Sequence, residues 1–238
     1  MSKRAIILAG GKGTRLRPYT VTLPKPLMPV SDYPILEVII RQLVHYNFSH
    51  ITLAVNHQAD IIKAFFGDGD KWNVRIDYSL EKMPLSTMAP LRLIGDLPDN
   101  FLLMNGDILT DLDFGRFYED HVQSNNLFTI KSYHRSHVME YGVLKVNKNN
   151  ELIGFEEKPE IGFLVSMGIY MVNKRVLQYI PERTRFGFDD LMHRLLSEGI
   201  YPKIDIHQDY WMDIGRPDDY IKAIEDFDHM KSKLLPDG

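Results

Sequence analysis

Residues 5–16 read Ala5-Ile6-Ile7-Leu8-Ala9-Gly10-Gly11-Lys12-Gly13-Thr14-Arg15-Leu16, an apolar run that breaks into a glycine-rich turn. Ala5 to Leu8 show no polar alternation, which fits a strand buried on both faces, the first of a parallel sheet. The pattern outward from this strand agrees. Leu36, Ile39, Ile40 and Leu43 recur at helical spacing; Ile51 to Val55 reads as a second strand, Ile61 to Phe66 as part of a helix, Val74 to Tyr78 as a third strand and Phe101 to Met104 as a fourth. Strands alternating with helices build βαβ units. The expected fold is therefore α/β: a Rossmann-like, mostly parallel sheet flanked by helices on both faces.

Beyond Leu127 the texture changes. Leu127 to Tyr133, Tyr141 to Val146, Leu152 to Glu156 and Leu164 to Val172 are strand-like and separated by turn residues such as Asn147-Lys148-Asn149-Asn150. They predict a smaller, mixed or antiparallel region packed beside the first sheet. From Pro217 to Leu235, Tyr220, Ile224, Phe227 and Leu234 share one helical face and the proline suits a first turn, which predicts a closing amphipathic helix. With no internal repeat and no low-complexity linker, one domain is expected over residues 1–238, in two halves, 1–126 and 127–238.

Composition narrows the chemistry. The 238 residues are 44% hydrophobic, ample for a sizeable core, and none is cysteine. Disulfides, thiolate metal sites and cysteine nucleophiles are thereby excluded. Lys3 and Arg4 precede only five apolar residues, too few for a signal-peptide core, and no run approaches a membrane span. A cytoplasmic protein is expected. A net charge of −4 argues against a nucleic-acid binder, which would carry a basic field. The charge is unevenly spread, however: Ser2 to Ser31 contain no acidic residue but hold Lys3, Arg4, Lys12, Arg15, Arg17 and Lys25.

The glycine loop matches neither common phosphate motif. A Walker A loop needs Gly-Lys followed directly by Ser or Thr, and here Gly13 intervenes between Lys12 and Thr14. The dinucleotide pattern needs a glycine where Leu16 stands. What remains is a strand, a turn of three glycines and two arginines beyond it. Glycines let backbone N–H groups approach an anion, and Arg15 can grip phosphate oxygens in bidentate fashion. At this point a glycine turn without a ligand, or a solvated basic edge, stays open. Downstream, Pro24-Lys25-Pro26-Leu27-Met28-Pro29-Val30 presents Lys25 from a backbone stiffened by three prolines.

"LAGGKGTRL" paired with "PKPLMPV" resembles the sugar-1-phosphate nucleotidyltransferases, the enzymes that make nucleotide sugars, and the resemblance runs from Ala5 to the final helix. Three later stretches support it. Met104-Asn105-Gly106-Asp107 puts an acid just past a strand end, where open α/β sheets bind ligands. Glu156-Glu157-Lys158-Pro159 resembles the family's Glu-Lys-Pro motif. Trp211-Met212-Asp213-Ile214-Gly215-Arg216-Pro217 resembles the segment that supplies a second metal-binding aspartate.

The resemblance implies roles residue by residue. Asp107 and Asp213 would converge on a catalytic magnesium ion. Leu8, Ala9, Gly10, Gly11, Gly13 and Thr14, with Ser86 and Thr87, would bind the nucleotide. Arg15 and Lys25 would be catalytic, and Asn105, Glu157, Lys158 and Ser166 would hold the acceptor. The partners would be a nucleoside triphosphate and a sugar 1-phosphate, with no nucleic acid and no membrane. Family members are often dimers or tetramers, though no segment here marks an interface. Plainer readings stand beside these. Asp111 and Asp113 are better placed than Asp107 to start the helix at Phe114, Glu157 and Lys158 could be an exposed ion pair, Trp211 reads as packing, and His57 receives no role.

The chain also departs from the pattern. Glu81-Lys82-Met83-Pro84-Leu85-Ser86-Thr87-Met88-Ala89-Pro90-Leu91 fills the place of the family's E-x-x-x-Leu-Gly-Thr-Ala-Gly-Pro-Leu loop, with Ser86, Met88 and Ala89 where smaller or glycine residues are usual. That loop shapes the base and sugar end of the pocket and looks closest to the version in mannose-1-phosphate guanylyltransferases, so GTP and a mannose- or heptose-type phosphate are the expected pair. Ser166 replaces a usual asparagine. Two other readings remain: a homologue that senses a nucleotide sugar without making it, and a transferase for a non-sugar phosphate such as phosphocholine.

Overall fold

The computed structural model describes residues 3–11, 13–56, 58–81 and 83–235. Lys12, His57 and Lys82 lie outside the described residues. The chain runs β1 (Lys3–Leu8), β2 (Pro29–Val30), β3 (Tyr33–Pro34), α1 (Ile35–His45), β4 (Phe48–Val55), α2 (Ala59–Phe66), β5 (Arg75–Leu80), β6 (Asn100–Asn105) and β7 (Ile108–Thr110). It continues through α3 (Phe114–Gln123), β8 (Phe128–Val138), β9 (Val143–Val146), β10 (Leu152–Glu156), β11 (Glu160–Asn173), α4 (Phe188–Ser197), β12 (Lys203–His207), β13 (Trp211–Asp213) and α5 (Pro217–Leu234). One seven-stranded sheet, ordered β12-β8-β11-β6-β1-β4-β5, organises the molecule. All its strands share one direction except β11, which is antiparallel to both of its neighbours.

The apolar run that opens the chain does what its composition requires. Ala5, Ile6 and Ile7 are fully buried, and they alternate between two cores. Ala5 and Ile7 join the core under α1, α2, α3 and α5, while Ile6 joins the core under α4 and the turn Ala89–Leu93. The same alternation carries β6, with Leu102 and Met104 on one side and Phe101 and Leu103 on the other. Burying a side chain of this size contributes about 1.5–3 kcal/mol, so central strands covered on both faces are the stable arrangement. Leu36, Ile39, Ile40 and Leu43 all point from α1 into the first core.

The second half brings the expected antiparallel pairing, but its long strands are not packed beside the first sheet. β8, β11 and β12 extend the same sheet, because β11 is itself a central strand: Ile169 and Met171 face one core, Tyr170 and Val172 the other. Among the described residues, antiparallel pairing is confined to β11 and to three small pairs, β9 with β10, β7 with β13 and β2 with β3. In α5 the buried face carries Tyr220, Ala223, Phe227 and Leu234, whereas Ile224 is exposed. Positions 223 and 224 both fit a helical repeat after Tyr220, and Ala223, having the smaller side chain, permits the closer approach to the sheet.

Candidate active site

A cleft of about 400 Å³ opens where the parallel strands end. Leu8, Ala9, Gly10 and Gly11 reach it from β1, Asn56 from β4, Glu81 from β5, and Asn105, Gly106 and Asp107 from β6. After β1 the chain moves to β4 and β5, and then returns to the other side as β6. The cleft thus sits at the switch point where open α/β sheets take ligands. The end of β1 is fixed on both flanks: Ala9 N–H donates to Ala54 O (2.8 Å) and Gly106 N–H to Leu8 O (3.0 Å).

Two glycines of the loop face the cleft and one does not. A Cβ on Gly10 would stand 3.1 Å from Asn56 Nδ2, while the space around Gly11 is open. Among the described residues the Gly10 and Gly11 amides meet no acceptor, which leaves them to an anion. Gly13 lies at φ 61, where a Cβ would fall 2.9 Å from Thr20 Cγ2, and its carbonyl accepts from Leu16 N–H and Thr20 Oγ1. It shapes the turn Thr14–Leu16 instead of lining the cleft, and Thr14 is exposed.

The basic segment also divides. Arg4 is buried at the far end of β1, bonded to Thr52 and Asp96, and Lys3 pairs with Glu119. Lys25, held in the turn Lys25–Leu27, is buried in the cleft wall and ion-paired to Asp107 Oδ2. Arg15 stands outside the lining. An added Cβ at Gly215 would lie 3.6 Å from Arg15 Nη1, Asp213 Oδ2 and Asp219 Oδ2 alike, so these three groups gather on the rim.

The two aspartates do come together. β13 pairs with β7, setting Asp213 opposite Ile108, and Ile214 N–H donates to Asp107 O (3.1 Å). Asp107 takes no part in starting α3; Asp113 caps it by accepting from Arg116 N–H. Asp111 is used elsewhere, accepting from Tyr210 N–H and facing His207. Asp107 Oδ1 is buried without a partner among the described residues. The surface of Asp213 is open towards the rim, yet its carboxyl is pushed up, first by desolvation and then by the Asp107 charge, with Lys25 and Arg15 opposing. An orphaned carboxylate oxygen beside a second, repelled carboxylate fits an oxygen-loving divalent cation.

The remaining expected residues lie elsewhere. Glu157 and Lys158 are exposed between β10 and β11, outside the cleft lining, with Lys158 at φ 45. Ser166 is half-buried at a bulge of β11, where its Oγ accepts from Gly168 N–H and donates to Tyr170 Oη. A Cβ on Gly168 would strike Asn105 Nδ2 at 2.5 Å, so that glycine lets Asn105 sit at the cleft. Trp211 packs at 5.4 Å from Tyr133 and donates to Met167 O.

In the loop after β5, Ser86 and Thr87 line the cleft, but Met88 and Ala89 do not. Both are buried in the second core, and their N–H groups donate to Phe186 O. Their bulk therefore acts on packing and not on the pocket. Sequence reasoning missed Asn56, Glu81, Pro26 and Pro84 as lining residues. Asn56 and Glu81 each stand just past a strand end, the signal that singled out Asp107.

The profile of the family described as nucleotidyl transferase matches residues 4–229. The chain belongs to that family. It is 33% identical to a UTP--glucose-1-phosphate uridylyltransferase of Synechocystis sp., over 93% of this chain and 62% of that protein. It is 34% identical to a mannose-1-phosphate guanyltransferase of Aspergillus fumigatus, over 92% of this chain and 62% of the relative. The chain thus spans about three-fifths of the length of these curated relatives. Among solved structures, HddC from Yersinia pseudotuberculosis complexed with GMP-PN superposes with a TM-score of 0.70 at 26% identity, over 94% of this chain and 99% of that one.

Within this nucleotidyl transferase chain, one family departure has a structural cost. Ser86, standing where the family loop has glycine, is held at φ 70. A left-handed backbone costs an L-residue about 1–2 kcal/mol, partly offset by the greater unfolded-state entropy of glycine. Ser86→Gly should therefore raise stability by up to about 1 kcal/mol, read as a higher urea midpoint at unchanged m-value.

Proposed function

We propose that this chain transfers a nucleoside monophosphate from a nucleoside triphosphate to a sugar 1-phosphate, releasing pyrophosphate. The observation that carries this reading is the cleft at the ends of the parallel strands, where glycine amides and a buried lysine meet Asp107, with Asp213 approaching Asp107 from the rim. In the reaction, a phosphate oxygen of the acceptor attacks the α-phosphorus in line, the bond to the bridging oxygen breaks, and pyrophosphate leaves with that electron pair. The nucleophile is already ionised, so no general base is needed.

The main obstacle is repulsion between anions. Two unit charges 5 Å apart at an effective dielectric near 20 repel by about 3 kcal/mol, and several such pairs meet here. Gly10 and Gly11 amides would receive the triphosphate, Lys25 would offset charge on the transferring group, and Arg15 would act from the rim. Glu157, Lys158 and Ser166 are assigned to the acceptor on family resemblance. Asp107 and Asp213 would hold a divalent cation, magnesium by the hardness of their oxygens. When bound, it would neutralise phosphate charge.

Asp213 gives this cation an independent test. A carboxyl whose folded-state value is raised binds its proton more tightly folded than unfolded, so its ionised form opposes folding above that value. The opposition fades as pH falls through the raised value. In EDTA at neutral pH, Asp213→Asn should melt no lower than wild type, and higher if Asp107 repulsion dominates. Added magnesium should raise the melting temperature of wild type but not of the variant.

For the nucleotide, we infer GTP. Glu81 is enclosed in the cleft wall; desolvation pushes its carboxyl up, with the bond from Leu85 N–H opposing. An ionised carboxylate offers only acceptors, and guanine presents adjacent N–H donors. The relative from A. fumigatus named mannose-1-phosphate guanyltransferase and the neighbour holding GMP-PN support the same choice. Pyrophosphate release should be measured across four nucleoside triphosphates and a panel of sugar phosphates. GTP with a mannose- or heptose-type phosphate is expected to lead, and Glu81→Gln should cut kcat/KM for GTP at least about tenfold while sparing the other bases. Binding without release in every pairing would sink the transferase reading.

A further inference from the structure

Asp213 is carried by a strand that cannot place it alone. Among the described residues β13 pairs only with β7, and each is three residues long. An isolated pair that short is marginal in water without further support. Yet Asp213 and Asp107 repel each other and must still be held together for one cation to meet both. Another part of the molecule has to supply that restraint.

It lies at Tyr210, just ahead of β13. Tyr210 N–H donates to Asp111 Oδ1 (2.9 Å). Its carbonyl oxygen accepts from Thr110 Oγ1 (2.8 Å), from Asp111 N–H (3.3 Å) and from His207 Nε2 (3.2 Å). His207 Nε2 also faces Asp111 Oδ1 at 3.0 Å. A backbone carbonyl and a carboxylate are both acceptors, so this nitrogen carries the ring proton and shares it between them. Gln42 of α1 completes the junction by donating to Thr110 O (2.7 Å). Thr110, Gln42 and His207 are 1%, 2% and 7% exposed, and a buried polar network whose groups are paired is rigid.

The topology says what the junction is for. Thr110 ends β7, which follows directly on Asp107; Tyr210 leads into β13; and His207 ends β12, the outermost strand of the large sheet. The segment bearing Asp107, the segment bearing Asp213 and the sheet edge are thus tied at one point. We propose that His207 is a positioning residue: its ring anchors Tyr210 to the sheet edge and so keeps Asp213 beside Asp107, where both reach one cation. This rests on the reading of the two aspartates as a divalent-cation site.

Manganese, which shares magnesium's preference for carboxylate oxygen, provides the probe. Its binding to the substrate-free full chain is followed through the electron paramagnetic resonance of the free ion. His207→Ala should weaken binding by about tenfold or more, the scale for losing a group that orients a metal ligand. His207→Gln, which restores an N–H donor, should return affinity to within about twofold of wild type. Because His207→Ala could fail to fold, Thr110→Val gives a second reading: it keeps the shape, removes one donor to Tyr210 O and should weaken binding by about threefold. Unchanged affinity in His207→Ala and Thr110→Val, or equal loss in His207→Ala and His207→Gln, overturns the proposal and leaves the cation site standing. Affinity lost in His207→Ala but kept in Asp213→Asn overturns it too, since the ion would then sit elsewhere. Wild-type protein that takes up no manganese overturns the cation reading itself, and this inference with it.

Discussion

Asp107→Asn should lower nucleotidyl transfer at least about a thousandfold, equivalent to roughly 4 kcal/mol of transition-state stabilisation. The geometry makes this residue hard to replace. One carboxylate oxygen pairs with Lys25 and the other is buried with no partner among the described residues, so neutralising the group would disturb both. Asparagine keeps the shape but removes the charge and offers only one carbonyl oxygen. The variant should remain folded, because Asp107 caps no helix and the strand end is held by backbone bonds from Ala9 and Gly106. Steady-state pyrophosphate release with circular dichroism as control decides it. Normal turnover at physiological magnesium would refute the assignment of Asp107.

Lys25→Ala carries the second large effect, and it has two readouts. Turnover should fall at least tenfold, since losing one transition-state charge contact costs over about 1.4 kcal/mol. Stability should fall as well, by about 1–3 kcal/mol. The side chains of Lys25 and Asp107 are 9% and 22% exposed, and removing the lysine strands a largely desolvated carboxylate. That strain has a signature: Lys25→Ala with Asp107→Asn should regain most of the lost stability while activity stays absent. A double mutant whose losses simply add, measured by urea unfolding, would mean that the two groups act independently.

Much of the fold was legible along the chain. Ala5 to Leu8 and Phe101 to Met104 are short apolar runs without alternation, each ending near glycine, which suits a strand covered on both faces. The four apolar positions of α1 follow one helical stripe. Lys25 and Asp107, which line the cleft, were also legible as candidates, because a proline-stiffened lysine and an acid past a strand end are local features. Less visible was the use of β11. Leu164 to Val172 reads as one strand of a smaller antiparallel region beside the sheet, and only the burial of Tyr170 and Val172 against the second core makes it central. Met88 and Ala89 were misleading for a similar reason. Their place in a pocket-forming loop says nothing of which way they turn, and both turn inward to Phe186 and the core.

The order of residues by itself determined the alternation of strands and helices, the glycine turn and the stiff presentation of Lys25, since each depends on local backbone preference and hydrophobic period. Tertiary structure alone decided that Asp213 faces Asp107, that Arg15 stands on the rim, and that Glu81 and Asn56 wall the cleft. Those outcomes depend on pairing between β7 and β13 and on which strand ends meet at the switch point. Contacts between segments far apart in the chain are set by the packing of the whole sheet, and no local window contains that information.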